Sequence, residues 1–361
     1  MVRGSPHDSY QKLPAYLERL EQVNPGTVTD IQTDKNHHFE YYFMALGASI
    51  RGFMSCIRPV LAIDGTFLKG KYRGTLFVAT SLDGNNQIYP VAFGIGDSEN
   101  DDSWKWFLEK LHDIIGDLPN LVIISDRNNS ILKQVENVFP QAHHGVCMEH
   151  LRKNVQANFK KVNVNALLIS AAKSYGERDF WRIMQQIRAI SPDVHQYLID
   201  ADIKAWSRSH FPGRRYSIMT TNIAESMNAV LRLCREYPPV ALLDGILSKL
   251  MEWFVKRREE SVKMKTILTS WAERIVRLRD DKGRRYEVRP IHHYTYYVLD
   301  GDKNAQVDLN EKTCTCKLFQ LDQLPCSHAL KAASHVTVSK YGLASKYYTS
   351  DALVTAYAEP I

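Results

Sequence analysis

Two groups of residues in this chain are of types that hold metal. Cys314-Thr315-Cys316 and Cys326-Ser327-His328 put three thiolates and one imidazole within 15 positions. That donor set closes a tetrahedral structural zinc site and leaves no open position for substrate. An ion so held ties together a segment too small to bury a core of its own. The second group is made of carboxylates. Asp64 follows the apolar run Pro59-Val60-Leu61-Ala62-Ile63, Asp126 follows Leu121-Val122-Ile123-Ile124-Ser125, and Glu225 lies in Thr220-Thr221-Asn222-Ile223-Ala224-Glu225-Ser226-Met227-Asn228. Aspartates leaving adjacent strand ends, completed by a third carboxylate, can share magnesium or manganese, which take oxygen ligands. Two such ions can serve an in-line phosphoryl displacement. Spacing alone also allows each aspartate to be an ordinary turn or cap residue.

Strands and helix starts must position these groups. The spacing predicts a helix over Leu13 to Val23, ended by Asn24-Pro25-Gly26, then strand-like pieces over Thr27 to Gln32 and Phe39 to Leu46. A buried strand ending in Asp64 comes next. Strands over Thr75 to Ser81 and Ile88 to Gly94 flank Asp83-Gly84-Asn85-Asn86, a hairpin turn by composition. The acidic loop Asp97-Ser98-Glu99-Asn100-Asp101-Asp102-Ser103 reads as the N-cap of an amphipathic helix carrying Trp104, Phe107, Leu108 and Leu111; a metal site is the sharper alternative for it. A strand ending in Asp126, a helix from Asn129 to Val138, a strand over His143 to Cys147 and a helix from Glu149 follow. A meander followed by this alternation argues for a mixed sheet with helices packed on it. From Ala166 to about Arg279 the pattern is helical, with Leu243, Ile246, Leu247, Leu250, Met251 and Phe254 as an apolar core stripe. Beyond the break at Asp281-Lys282-Gly283-Arg284-Arg285, short strands over Tyr286 to Val288, Tyr294 to Leu299 and Ala305 to Leu309 lead to the cysteines, and a helix over Ala329 to Ser334 leaves them.

At 361 residues, 44% apolar and 24% charged, the chain can form several domains with real cores. The start, Met1-Val2-Arg3-Gly4-Ser5-Pro6-His7, is polar, and no apolar run approaches membrane-spanning length, so secretion and membrane insertion are not expected. Six cysteines without a secretory signal point to metal rather than a disulfide scaffold. Residues 201–300 carry 19 Lys/Arg against 12 Asp/Glu, more than the whole chain's net +6. Such a basic third is the footprint of a nucleic-acid partner, and also of an ordinary solvated helical face.

Cys-x-Cys…Cys-x-His resembles the SWIM zinc finger. Ile63-Asp64-Gly65-Thr66, Gly70-Lys71-Tyr72-Arg73-Gly74, Ala92-Phe93-Gly94, Trp104-Lys105-Trp106-Phe107, Ser125-Asp126-Arg127, Cys147-Met148-Glu149-His150 and Asn222 to Asn228 closely resemble the plant Mutator-like transposases, over nearly the whole chain. The resemblance implies an α/β fold: a ribonuclease-H-like mixed sheet core with an all-helical insertion, followed by a small zinc-stapled β/α module. It maps a DDE triad onto Asp64, Asp126 and Glu225, with magnesium or manganese as catalytic cofactor and zinc as structural one. The activity it implies is DNA strand cleavage and transfer, by a homo-oligomer on DNA in the nucleus. Cys147 and His150 match the family's Cys-x-x-His element; either His143 or His144 completes a zinc site there, or the pair shapes the active-site edge or contacts DNA, and a packed helix start without metal is the plainer alternative.

The expected organisation is an α/β lead-in over 1–58, the core over 59–240 with its insertion at about 160–215, a helical connector over 241–285, the finger region over 286–345 and a tail over 346–361. Relatives carry an N-terminal DNA-binding domain ahead of this core, so recognition of transposon ends is expected to be missing. Arg214-Arg215, Lys256-Arg257-Arg258 and Arg284-Arg285 could hold DNA through phosphates. Two functions follow: a transposase, or a domesticated or truncated derivative, similar to the far-red-response regulators of plants, that binds DNA or protein and performs no strand chemistry. A purely structural zinc-stapled protein is the blandest reading.

Overall fold

Apolar and β-branched runs bounded by turn formers become the strands of the larger sheet. The computed structural model describes residues 6–71 and 73–361; Tyr72 and the polar start from Met1 to Ser5 lie outside the described residues. In chain order, helix α1 (Pro6–Val23) precedes strands β1 (Val28–Thr33) and β2 (Phe39–Ala45), helix α2 (Gly47–Cys56), strands β3 (Val60–Phe67), β4 (Thr75–Leu82) and β5 (Ile88–Gly96), and helix α3 (Asp101–Ile115). Then come β6 (Val122–Ser125), α4 (Asn129–Val138) and β7 (His143–Val146). The chain turns helical through α5 (Met148–Asn158), α6 (Asn165–Lys173), α7 (Glu177–Ile190), α8 (Pro192–Asp200), α9 (Ile203–Trp206), α10 (Asn222–Val230), α11 (Pro239–Val262) and α12 (Ser270–Gly283). Strands β8 (Glu287–Pro290), β9 (Thr295–Leu299), β10 (Ala305–Asp308) and β11 (Thr313–Cys314) precede helices α13 (Leu318–Asp322), α14 (Ser327–His335) and α15 (Ser350–Ala356).

The large sheet has seven strands in the order β1-β2-β5-β4-β3-β6-β7, and a four-stranded sheet has the order β11-β10-β9-β8. β4 runs antiparallel to both β3 and β5, while β6 is parallel to β3 and β7 to β6. β3, β5, β6 and β7 therefore point the same way, and the chain leaving them gathers along one edge. The α/β class expected from the sequence is the observed one, with its mixed sheet, its helical segments and a small C-terminal strand and helix module that carries the Cys/His cluster.

Alternation along the strands builds a core on each face. Phe43, Leu61, Ile63 and Phe77 pack with Trp104, Phe107 and Leu111 of α3 and Ile131 of α4. Tyr42, Met44, Leu76 and Val78 pack with Leu13, Leu17 and Leu20 of α1 and Leu243, Ile246 and Leu250 of α11. A separate core joins α5 to α9 around Trp206 and Phe180. In the stripe along α11, Met251 departs from the expected core and is exposed, because one residue on from buried Leu250 the helix has turned the side chain about 100° away from the contact.

Among the elements that escaped the sequence reading are α2 and α15. α2 buries Gly47, Ala48, Ser49 and Gly52 beside Phe53, small residues that give little amphipathic signal. The stretch given as a tail holds α15, whose Leu353 and Ala356 join the core under the large sheet together with Tyr357. Tyr357 Oη donates to buried Asp83 Oδ2 at 2.8 Å and accepts from Arg257 Nη1 at 2.9 Å.

Asp322, at the end of α13, joins three parts of the chain. Its carboxylate, 7% exposed, pairs with Arg279 of α12 and accepts from Tyr175 Oη at 2.9 Å and Ser217 Oγ at 2.7 Å. Removing one partner of a buried ion pair strands the other charge. Asp322→Ala is expected to cost about 3–5 kcal/mol in chemical denaturation, with Asp322→Asn intermediate because it keeps some of the hydrogen bonds. A cost near zero would show that water replaces the carboxylate.

Candidate metal centres

Asp64 and Asp126 meet through strand register. Ala62 of β3 pairs with Ile124 of β6, so each aspartate lies two residues past a matched pair on neighbouring parallel strands. β3 does not end at Asp64; it continues to Phe67, paired with β4, and what ends at Asp64 is its fully buried half. Asp126 follows β6 directly. Its Oδ1 accepts from Asn128 N at 3.0 Å, so it is also the turn residue that its sequence context allows. Glu225 comes from the first turn of α10, which packs on β3 and β4.

The electrostatics of this edge are lopsided. Burial, and after it the negative charge of Glu225, pushes the Asp64 carboxyl up to about 7, with Asp126 and Glu99 adding to the same effect. Among the described residues, no lysine or arginine forms an ion pair with Asp64, Asp126, Glu225 or Glu99. The cation at hand is His150, whose Nε2 lies 3.7 Å from Glu225 Oε1. Its contact with Cys147, reinforced by Glu225 and Asp126, pushes the imidazole up to about 9 against the effect of burial.

Cys147 and His150 do not gather a zinc ligand set: among the described residues the one group of three or more Cys, His, Asp or Glu side chains with ligand atoms all within 4.8 Å of one another is Cys314, Cys316, Cys326 and His328, and the carboxylates of this edge stand farther apart than that. Cys147 Sγ instead accepts from Thr221 N at 3.3 Å, fastening the start of α10 to the start of α5. Neither neighbouring histidine assists: His143 packs against Gly213 and Phe211, and His144 Nε2 bonds Ser125 Oγ at 2.8 Å.

Asn228 was quoted in the sequence motif without a role. It stands three residues after Glu225, on the same helix face, and its Nδ2 donates to Asp64 Oδ2 at 2.8 Å. The side chain is 5% exposed and its Oδ1 has no partner. Glu99 comes from the acidic loop for which the sequence offered a cap and, as the sharper alternative, a metal site.

His144 lies beneath this edge. Ser125 Oγ donates to Asp126 O at 2.9 Å, so in the 2.8 Å contact His144 Nε2–H is the donor and Ser125 Oγ the acceptor. Burial, and then Arg215, pushes the His144 pKa down to about 4. A depressed pKa gives stability that is complete above the unfolded value near 6.5 and is lost as pH falls toward 4. Between pH 7 and 4 the parent is expected to lose about 3 kcal/mol more than His144→Gln, measured by urea denaturation of both proteins at each pH. Parallel curves would show that His144 does not titrate in this range.

The cysteines and His328 form the second centre. Cys314, Cys316, Cys326 and His328 bring one ligand atom each within 4.8 Å of one another, with Cys314 Sγ 3.7 Å from His328 Nδ1. Lys317, in the left-handed region at φ 64°, donates its N–H to Cys314 O at 2.8 Å and turns the strand into a knuckle. Cys326 caps α14 and sets His328 in its first turn. The sulfurs crowd so closely that their ionisations are tied: hydrogen bonds from Cys314 and Cys326 hold the Cys316 thiol far below its usual value, while Cys314 is pushed up. Zinc fits this set, since it takes thiolates and one neutral imidazole.

His328 Nε2 lies 3.1 Å from Asp300 Oδ2, and Tyr286 stacks on the ring at 5.3 Å. A donor bond from Nε2 fixes the tautomer that offers Nδ1 to metal. Asp300, read from the sequence as part of a hairpin loop, is thus the orienting carboxylate of the zinc site. Its signal in the sequence was absent, because 28 residues separate it from His328.

The basic clusters need correction. Arg215 is 3% exposed and donates to Val146 O and Trp206 O, and Arg257 is 8% exposed and bonds Ile88 O and Tyr357. Both satisfy buried carbonyls and are not available to phosphates. Arg214, Lys256, Arg284 and Arg285 remain exposed.

Residues 60–154 match the MULE transposase domain family, and residues 298–336 match the SWIM zinc finger family. The chain is similar to Protein FAR1-RELATED SEQUENCE 4 of Arabidopsis thaliana, 21% identical over 366 residues that cover 87% of this chain and 48% of that protein. A stretch of 163 residues, 43% of the chain, is 23% identical to 3% of the PKS-NRPS hybrid synthetase cheA of Chaetomium globosum. The chain thus spans half or less of the length of these relatives.

Proposed function

We propose that this chain, which carries a match to the MULE transposase domain over residues 60–154 and to the SWIM zinc finger over 298–336, is a transposase-derived protein in which the carboxylate edge of the large sheet binds magnesium or manganese and cleaves and joins DNA strands. The observation that carries this reading is the convergence of Asp64, Asp126 and Glu225 from β3, β6 and α10 with no lysine or arginine paired to them among the described residues. The fit to a hard divalent cation rests on oxygen donors alone, on the elevated Asp64 carboxyl, and on the buried Asn228 Oδ1 without a partner. When bound, such ions supply Lewis-acid stabilisation of phosphoryl oxygens and an acidified attacking water.

The chain's own residues orient and balance the site. Asn228 fixes one oxygen of Asp64 and leaves the other free, and Asn128 N does the same for Asp126. Cys147 fastens the α10 N-terminus that carries Glu225, and His150 keeps a proton beside that carboxylate. Exposed Arg214, Lys256, Arg284 and Arg285 meet phosphates without reading sequence. A nuclear location and self-assembly on DNA belong to the same proposal.

The test is incubation of the zinc-loaded chain with labelled duplex DNA bearing a free 3′-hydroxyl, with Mn²⁺ or Mg²⁺. Metal-dependent nicking or joining that Asp64→Ala and Glu225→Ala both abolish supports the enzyme. Salt-sensitive DNA binding with no strand chemistry in any metal would assign the chain to the non-catalytic DNA-binding derivatives.

A further inference from the structure

The loop between β5 and α3 carries four acids with different surroundings. Asp97 accepts from Ser98 N at 2.7 Å, from Asn100 Nδ2 at 3.2 Å and from Ser103 Oγ. Asn100 caps α3, its Oδ1 accepting from Ser103 N at 2.8 Å, and Asp101 pairs with Lys133. Asp102 is exposed. The capping role expected of this loop therefore falls to Asp97 and Asn100.

Glu99 does something else. It is half-buried and has no hydrogen bond or ion pair among the described residues. Its side chain turns back over the sheet edge, and its carboxylate rests on the backbone of Gly65, the residue after Asp64. A Cβ placed on Gly65 would lie 2.9 Å from both Cδ and Oε1 of Glu99. Gly65 sits in regular β3 pairing opposite Phe77 and has no positive φ, so its conformation is open to any residue. What needs glycine there is space for the carboxylate. Glu99 also faces Asp126 and His150, and its charge reaches Asp64. Carboxylates whose charges reach one another repel, and a cation placed among them would offset that repulsion. Buried Asn228, whose Nδ2 bonds Asp64 Oδ2 and whose Oδ1 has no partner, is independent of the acids and leaves a polar atom beside this edge unsatisfied.

Resting on the reading of this edge as a divalent-cation centre, we propose that Glu99 is a fourth carboxylate ligand of that centre and that Gly65 is the seat that lets it reach the metal. The centre then draws oxygens from β3, from the exits of β5 and β6, and from α10, which suits a cation that demands near-octahedral oxygen ligation.

The experiment measures Mn²⁺ binding by titration calorimetry and by loss of the free-ion electron paramagnetic resonance signal, on the full zinc-loaded chain without DNA. Glu99→Gln is expected to weaken Mn²⁺ binding by about tenfold or more. Gly65→Ala is expected to do the same with every carboxylate intact, and Asp102→Asn, in the same loop, to bind as the parent does. Circular dichroism melting checks that each variant is folded; if Gly65→Ala melts early, Glu99→Gln decides. Parent-like binding by Glu99→Gln, with Asp64→Asn weakened, would overturn the role of Glu99 and leave the centre standing. A parent that binds no Mn²⁺ saturably, indistinguishable from Asp64→Asn, would overturn both.

Discussion

Asp64→Asn is expected to lower metal-dependent DNA strand cleavage by about a thousandfold or more while leaving the fold as stable as before, or more so. The loss follows from removing a charged oxygen from a site whose proposed chemistry depends on charge. A metal ligand worth several kcal/mol in the transition state corresponds to three or more decades in rate. The gain in stability follows from the same crowding. Asp64 is pushed up to about 7 by burial and by Glu225, whereas in the unfolded chain it ionises near 3.9. Between these values the folded state holds a proton that the unfolded state has lost, so stability falls as pH rises from about 4 to 7 and stays low above. The full difference is at most about 4 kcal/mol. Asparagine removes that penalty and keeps a partner for Asn228. Denaturation of parent and variant at pH 8 in chelator, beside strand-cleavage rates in Mn²⁺, checks both halves. A variant that cleaves DNA as the parent does would sink the catalytic reading of this edge.

Zinc removal is expected to undo the C-terminal module and spare the large sheet. The core of β8 to β11 with α13 and α14 is small, built from Tyr296, Val298, Val307, Phe319 and the alanines of α14, with Cys314 and Cys326 among its buried members. Such a core does not offset its conformational entropy unaided. Zinc held by three thiolates and an imidazole contributes on the order of 10 kcal/mol or more to the folding of such a module. We expect one zinc per chain by elemental analysis. Treatment with a strong chelator, or Cys326→Ser, should abolish hydrogen-exchange protection over 287–335 while β3, β4 and β5 stay protected. Because Asp322 leaves with the module, the Arg279 side chain loses its partner and α12 should loosen too. Full protection of the module after zinc is stripped would show that the small core suffices.

The zinc donor set was legible from residue types because all four ligands lie within one short segment, where spacing and geometry are nearly the same thing. The strands leading to Asp64 and Asp126 were legible too, as apolar runs ending in acid. Periodicity also located α3, α4 and the helical run after β7, since each shows its buried face locally.

What the tertiary structure decided was convergence. No local pattern states that β3 and β6 pair in parallel with Ala62 opposite Ile124, which is what aligns the two aspartates. Nor does one state that α10 lies across β3 and β4 and sets Asn228 against Asp64. The acidic loop could be read as a cap or as a metal site, and nothing local separated Glu99 from its capping neighbours; the contact with Gly65 does. Arg215 and Arg257 looked like surface charge because guanidinium groups usually are, and both proved to bond buried carbonyls. Residue types within a short stretch fix which chemistry is available. Which distant groups share a site depends on strand order and helix crossing, set by burial of the whole core and not by the sequence around any one residue.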